Sequence, residues 1–339
     1  MEKKRNLSMK VFVTGADGFI GSHLVEELVH RGHAVTALSQ YNSFNSRGWL
    51  DDLTPEVAAE INFLSGDVRD AGFMREAIAG HEVVAHLAAL IAIPYSYSAP
   101  ESYLATNALG TLNVMEACKS QGVARVIHTS TSEVYGSAQY VPIDEGHPLV
   151  GQSPYSASKI AADQIAFSYW SSFGVPITTV RPFNSYGPRQ SQRAFIPSVF
   201  VQLLAEAAEL RLGSLETTRD LTFVRDTAAG FATVLESDKG AGETFNMGSG
   251  FEVSMGEVVD MACEIAGRSV EVAVDEERIR PAESEVQRLW SDSSKMLETF
   301  GWAPQRVGRD GLFKGLEATY AWLKEHRSAT GYDSSKYVV

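Results

Sequence analysis

Cysteine is nearly absent: Cys118 and Cys263, far apart in sequence, are the only two among 339 residues. That excludes a disulfide framework and a Cys-rich metal site, and it suits a reducing compartment, so a cytoplasmic location is expected. No His, Asp or Glu spacing suggests a bound metal either. Long apolar runs are missing too. The longest nearly apolar stretch, residues 83–93, is too short to span a bilayer and contains His86. The opening Met1-Glu-Lys-Lys-Arg-Asn-Leu-Ser-Met9 carries charge with no apolar segment behind it and reads as a short solvated leader. Positive charge is the third scarcity. With 29 Lys and Arg against 42 Asp and Glu, the formal net charge of −13 argues against nucleic acid or an anionic membrane as partner. An anionic small molecule would need a local Arg cluster that defies this average.

What is present is ordinary globular material. With 44% apolar and 21% charged residues, the chain can bury a core, and its length suits one large domain or two closely joined ones. Lys10-Val-Phe-Val-Thr14, Ala34-Val-Thr-Ala-Leu38, Glu60-Ile-Asn-Phe-Leu64, Val83-Val-Ala-His-Leu87 and Arg125-Val-Ile-His128 read as strands with helical patterns between them. Such alternation predicts an α/β fold with a doubly wound parallel sheet. After Arg181-Pro-Phe-Asn184 the rhythm breaks into shorter mixed elements. The expected division is a dinucleotide-binding domain over 1–185 and a smaller mixed α/β substrate domain over 186–339. Leu221-Thr-Phe-Val224 and Glu243-Thr-Phe-Asn-Met247, within 221–250, read as strands returning to the first domain. Ser254-Met-Gly-Glu257 is a capping box opening a helix to about Gly267, and Asp292 is read as the cap of another ending near Phe300. A last amphipathic helix is expected over 311–326, with a polar, frayed tail after Arg327.

Gly15, Gly18 and Gly21 fall where the first strand turns into a helix, in Gly15-Ala-Asp17-Gly18-Phe19-Ile20-Gly21. The first glycine permits a tight turn, the second lets backbone approach a pyrophosphate, and the third lets helix and strand pack closely. This predicts a dinucleotide site. Asp67 suits an adenine amino group, although an ordinary turn after Gly66 accounts for it equally well. An NAD site usually has an acid at the end of the second strand, where this chain has Ser39 or Gln40. Nearby Asn42, Ser43, Ser46 and Arg47 suit a 2′-phosphate instead, so NAD and NADP both stay open.

The chemistry is written in two further runs. Tyr155-Ser-Ala-Ser-Lys159 puts a phenol and an ammonium four residues apart on one helix face, with Ser153-Pro154 as cap and first turn. A lysine beside a tyrosine favours phenolate, able to take a proton from an alcohol during hydride transfer. Thr131-Ser132-Glu133 follows an apolar run that reads as a buried strand. Its carboxylate can take a second proton, from carbon, once the alcohol has become a ketone. Oxidation followed by elimination is the reading. His86 and His128 lie in apolar strands and read as satisfied core groups.

The glycine spacing, Gly66-Asp67, His86-Leu-Ala-Ala89, the Tyr155/Lys159 pair, Arg181-Pro-Phe-Asn184 and Tyr186-Gly-Pro-Arg189 together resemble the extended short-chain dehydrogenase/reductases acting on nucleotide sugars, across about residues 9–325. The Thr131-Ser132-Glu133 triplet looks like that of the sugar-nucleotide 4,6-dehydratases. Tyr41-Asn-Ser-Phe-Asn-Ser46, Ile91-Ala-Ile-Pro-Tyr-Ser-Tyr97 and Arg219-Asp-Leu-Thr-Phe-Val224 are similar to UDP-N-acetylglucosamine 4,6-dehydratases of legionaminic acid pathways. One departure is Ser132, where the dTDP-glucose enzymes have Asp; GDP-mannose dehydratases and UDP-glucuronate decarboxylases share the Ser.

The resemblance implies a Rossmann fold and tightly bound NAD or NADP recycled within each turnover. Val68, Leu87, Ala88, Ala89 and Asn107 join the cofactor contacts. Tyr155 and Lys159 do the proton chemistry at carbon 4, Thr131 binds the same hydroxyl, and Glu133 or Ser132 protonates the water leaving carbon 6. The nucleotide diphosphate needs cations, for which Arg219 and Arg280 are the first candidates, with Arg189 and Arg193 beside them and Asn184 as a neutral donor. Arg280 lies among acidic residues, so a surface ion-pair network is its alternative. Ser96 and Tyr97 are expected to line the sugar pocket. The helix carrying Tyr155 is apolar most of the way round, which predicts packing against a second subunit, and the resemblance implies the same homodimer. Rival readings are UDP-glucuronate decarboxylation, 4-epimerisation and, from another class, a non-catalytic dinucleotide sensor.

Overall fold

A computed structural model describes residues 8–326. Residues 1–7 of the expected leader and the tail after Arg327 lie outside the described residues. Twelve strands are described: β1 (Lys10–Thr14), β2 (Ala34–Gln40), β3 (Ile61–Gly66), β4 (Val83–His86), β5 (Arg125–Thr129), β6 (Ile177–Pro182), β7 (Asn184–Tyr186), β8 (Glu209–Leu212), β9 (Thr218–Phe223), β10 (Thr244–Met247), β11 (Glu252–Ser254) and β12 (Glu271–Val274). Seven of them form one sheet in the order β10-β6-β5-β4-β1-β2-β3, and every neighbouring pair is parallel.

The sheet is buried on both faces, which is why its strands are continuous apolar runs rather than alternating ones. On β1, Val11 and Val13 point to one face, where they pack with Leu24, Leu28, Phe231 and Leu235. Phe12 points to the other, with Met74, Val114, Met115 and Tyr169. The strand order reverses between β1 and β4, whose last residues Thr14 and His86 lie side by side. A crevice opens at such a switch point, beyond the carboxyl ends of the strands.

The second unit is smaller. β7 runs parallel to β9 and β11 antiparallel to it, while β8 and β12 pair separately. Helices Phe195–Leu204, Met255–Ala266 and Gly308–His326 supply Phe200, Leu203, Val258, Met261, Leu312 and Leu316 to its own core. Of the two strands expected to return to the first domain, β10 lies on the edge of the large sheet. The other, β9, does not: its backbone groups pair with β7 and β11. The helix directly after it, Val224–Glu236, crosses back instead and buries Phe231 and Leu235 against the large sheet.

Caps fix the helices that matter. Ser254 and Glu257 make the expected capping box, and Gly267 ends that helix at φ +64°. Ser153 and Ser156 make another at the start of Pro154–Phe173. Asp292 is one position too early to cap Ser294–Phe300; its carboxylate accepts from Ser294 N at 2.9 Å while Ser293 precedes the helix. Among the described residues no helix is long and apolar enough to cross a membrane.

Candidate active site

The crevice at the switch point is the mouth of a cavity of about 640 Å³ between the two units. Its floor is backbone. Gly15 has φ +65°, and a Cβ there would come within 2.7 Å of Ala88 N; a Cβ on Gly21 would sit 2.0 Å from Gly15 O. The turn therefore lies bare against the segment after β4. Thr14 locks that segment in place: its hydroxyl accepts from Leu87 N and Ala88 N, both at 3.1 Å, and meets His86 Nδ1 at 2.8 Å. Asp17, Phe19, Ile20, Val68, Leu87 and Ala89 complete this wall. Burial pushes the Asp17 carboxyl up, opposed by the bond it accepts from Gln40 N at 3.0 Å.

Thr131, Ser132, Glu133, Tyr155 and Lys159 converge on the same cavity. The first three leave the end of β5 in a tight turn, Ser132–Tyr135, where Glu133 N donates to Thr131 Oγ1 at 3.2 Å. Thr131 also presents its side chain to the Tyr155 phenol. Lys159 sits one turn further along the helix and donates from Nζ to Thr129 O at 2.6 Å. In the protein alone the phenol is held up: burial pushes Tyr155 up, Thr131 draws it down, and the charges of Glu133 and Asp163 push it up again. Burial also pulls Lys159 down to about 8, with Asp163 pushing the other way.

On the opposite wall, Arg219 and Arg280 point at one carboxylate, Glu285, at 3.2 and 3.6 Å. Asn184 and Arg193 line the same region. Asn184 Oδ1 is buried without a hydrogen-bond partner, and so is Arg280 Nη1, which reaches Glu285 only at ion-pair distance. Burial pulls Arg219 down while the charge of Glu133 pushes it up, so the two walls act on each other electrically.

Other expected contacts fall elsewhere. Ser39 is buried and hydrogen-bonds Leu64 O and Ser65 Oγ, because it points across to the neighbouring strand. Asn42 closes its own loop, donating to Gln40 O and Ser46 O, and Ser43 is an exposed residue of that loop. Arg47 pairs with Asp51 at 2.9 Å and lies over the Phe63 ring. Asn107 is fully buried in a π-helical turn, Leu104–Leu109, where it bonds both backbone groups of Leu90 and the Ser158 hydroxyl; it braces the cavity wall from behind. Ser96 is spent on Ile93 O, and the Tyr97 hydroxyl meets Ser284 at 2.7 Å outside the cavity lining. Arg189 turns away to Glu26 at 2.6 Å. Asp67 lines the cavity, with Arg69 holding its carboxyl below the usual range.

The family pattern described as GDP-mannose 4,6 dehydratase matches residues 12–313. The chain belongs to this family. Among its relatives in the GDP-mannose 4,6 dehydratase family, a dTDP-glucose 4,6-dehydratase of Actinoplanes sp. is 33% identical over 327 residues, covering 94% of this chain and 99% of the relative. A UDP-glucose 4-epimerase of Mycolicibacterium smegmatis is also 33% identical, over 318 residues, 91% of this chain and 98% of the relative. Among solved structures, the dTDP-glucose 4,6-dehydratase DesIV of Streptomyces venezuelae, a double mutant with NAD bound, superposes with a TM-score of 0.83. It is 30% identical and covers 95% of this chain and 98% of its own.

Within this family member, two residues escape motif reading. Glu285 lies on the cavity wall between the two arginines, although its acidic neighbourhood reads as solvated surface. Asp163 is buried beneath the active groups. Its signal was present in the sequence: Tyr155, Lys159 and Asp163 fall at i, i+4 and i+8, a stripe of three titratable groups along one face of the helix.

Proposed function

We propose that this protein is a hydro-lyase, an NAD-dependent nucleotide-sugar 4,6-dehydratase, with UDP-N-acetylglucosamine as its substrate. The observation that carries the reading is Glu133, a buried carboxylate in the cavity wall beside Thr131 and Tyr155. Simple oxidation of an alcohol has no use for it; elimination needs a base of this kind. NAD is favoured over NADP because Arg47, the cation expected to meet a 2′-phosphate, is paired with Asp51. The glycine turn, Asp67 and residues 87–89 would hold the dinucleotide. When bound, oxidised nicotinamide would accept the hydride from carbon 4 and return it to carbon 6, and would place a positive charge beside the phenol.

Tyr155 takes the proton from the hydroxyl on carbon 4, which becomes a ketone. The adjacent carbon-bound proton is thereby acidified, and Glu133 removes it from carbon 5. Glu133 then delivers that proton to the hydroxyl leaving carbon 6, so one water departs; a serine hydroxyl is too weak an acid for Ser132 to be preferred. A proton returns to carbon 5, balancing the one Tyr155 took, and the product is a 4-keto-6-deoxy sugar. Thr131 orients the phenol. Arg219 and Arg280, with Arg193 and Asn184, would hold the diphosphate, with Glu285 giving way to it.

A homodimer through the Pro154–Phe173 helix is part of the proposal. Phe167 and Phe173 on that helix, and Leu104, Leu109 and Leu112 beside it, are exposed apolar side chains. Cys118 and Cys263 are both free thiols, which suits a cytoplasmic location. The test is incubation with NAD and UDP-N-acetylglucosamine, read by mass spectrometry for loss of one water, with UDP-glucuronate, GDP-mannose and dTDP-glucose alongside. Epimerisation is the second reading, favoured by the equal identity to a 4-epimerase. It would invert carbon 4 at unchanged mass, and loss of carbon dioxide from UDP-glucuronate would point to decarboxylation instead.

A further inference from the structure

Beneath the proposed catalytic groups lies a buried polar cluster that the reaction does not use directly. At its centre Asp163 accepts from Ser130 Oγ at 2.8 Å, His128 Nε2 at 3.0 Å, and Arg181 Nε and Nη2 at 3.2 and 3.0 Å. Arg181 continues to the Tyr135 hydroxyl at 3.0 Å, and that hydroxyl donates to Asn246 at 2.7 Å. A single carboxylate thus ties β5, β6, the turn after β5 and the Tyr155 helix together. Ser130 stands between Thr129, whose carbonyl receives Lys159, and Thr131, which faces Tyr155.

We propose that Asp163 is a positioning residue for the reaction: it supplies the buried negative charge that keeps the Lys159 ammonium protonated, and it pins the end of β5 that carries Thr131 and Glu133. This inference rests on the dehydratase reading for its rate consequences, though not for its charge consequences. Around Lys159, its own helix presents Tyr155 and Asp163, β5 presents His128 and the Thr129 carbonyl, and β4 presents His86. Arg181 of β6 faces Asp163 from the far side, and Glu133 follows in the turn after β5.

Burial pulls both His86 and His128 down, leaving neutral imidazoles near neutrality. Lys159 and Arg181 are then two buried cations with Asp163 between them. Burial opposes the charge on Asp163, yet the bond from His128 and the charges of Arg181 and Lys159 hold it down at about 2. A carboxylate so fixed stays ionised throughout the working range. Removing one negative charge lowers the proton affinity of every neighbouring group. Both Lys159 and Tyr155 are pushed up by Asp163, so both fall together when it goes.

The experiment compares pH–rate profiles of wild type, Asp163→Asn and Asp163→Glu. In Asp163→Asn both limbs are expected to move to lower pH by roughly one unit, a tenfold change in the charge ratio of the lysine. KM for the nucleotide sugar should stay within about twofold, because Asp163 does not line the cavity, and uniform binding contacts are what KM reports. Asp163→Glu should restore the limbs. Since a lone buried Arg181 destabilises the fold, Asp163→Asn paired with Arg181→Met removes both charges; loss of the more distant cation offsets part of the effect, so the paired variant should give a smaller acidward move. A second readout avoids turnover: the Lys159 Nζ resonance of labelled protein without cofactor, assigned through Lys159→Met, should titrate at lower pH in the paired variant. Unmoved limbs in an active enzyme, or an unmoved lysine titration, would overturn the inference. Wild type that dehydrates no nucleotide sugar would sink the dehydratase reading alone, leaving the lysine titration to judge Asp163.

Discussion

The sheet wall of the cavity draws its working residues from short runs at strand ends, while the opposite wall collects them one at a time. Gly15 to Gly21, residues 87–89, 131–133 and the Tyr155/Lys159 pair each lie within a few residues of the end of a strand or the start of a helix. Arg219 comes from β9, Arg280 and Glu285 from an irregular stretch some 60 residues later, and Asn184 from the first residue of β7. The difference follows from the architecture. A parallel sheet delivers every carboxyl end to one crevice, so order along the chain becomes order along the site. The second unit has no such rule, and its contacts depend on how two small sheets and three helices settle against each other.

The comparison can be broken from the sheet side first. Tyr155→Phe should cost roughly 10²–10⁴ in kcat, the usual worth of a positioned acid–base group, with cofactor binding retained. Activity within a few-fold of wild type would remove the phenol from the reaction. Glu133→Gln should cost a similar factor in product formation, yet still reduce bound cofactor when substrate is added, visible as near-ultraviolet absorbance. If product forms at the normal rate, elimination does not use this carboxylate.

The opposite wall should respond differently. Arg219→Ala removes a charge-assisted contact worth about 1.5–3 kcal/mol, so KM should rise roughly 10–100-fold with kcat changed much less. A pure kcat loss would move Arg219 from binding to chemistry and blur the distinction between the walls. Titration gives a smaller effect. Lys159 is drawn down to about 8 by burial; above that value each gain in phenolate is offset by loss of the ammonium, so activity should stop climbing as pH passes about 8. A rate still climbing well past that point would contradict it. Smallest of all, Ser254→Ala loses the capping box of a helix in the second unit, costing about 1 kcal/mol of stability with kcat and KM unchanged. A change in KM there would show that this helix reports to the site.

The parallel sheet, the glycine turn and the helix capped by Ser153 could be read from the chain because each is encoded locally. Apolar periodicity, a strand-to-helix turn and a cap are properties of neighbouring residues. The return of β10 to the large sheet was anticipated, but its place beside β6 and the exclusion of β9 were not, since a strand's partner depends on which edge still has free hydrogen-bonding groups. The same limit explains the misplaced contacts. Ser96, Tyr97 and Asn107 have the right chemistry at a suitable distance along the chain, but each polar group was claimed by Ile93, Ser284 or Leu90.

By itself, the sequence determined the fold class, the position of the dinucleotide turn and the set of groups at the end of β5 and on the Tyr155 helix, because those depend on order and spacing. Tertiary structure alone decided the sign of the phenol's shift, the pairing of two arginines with Glu285 and the closure of four donors around Asp163. Proton affinities and ion pairs are set by burial and by neighbours brought together through space, which local spacing does not encode.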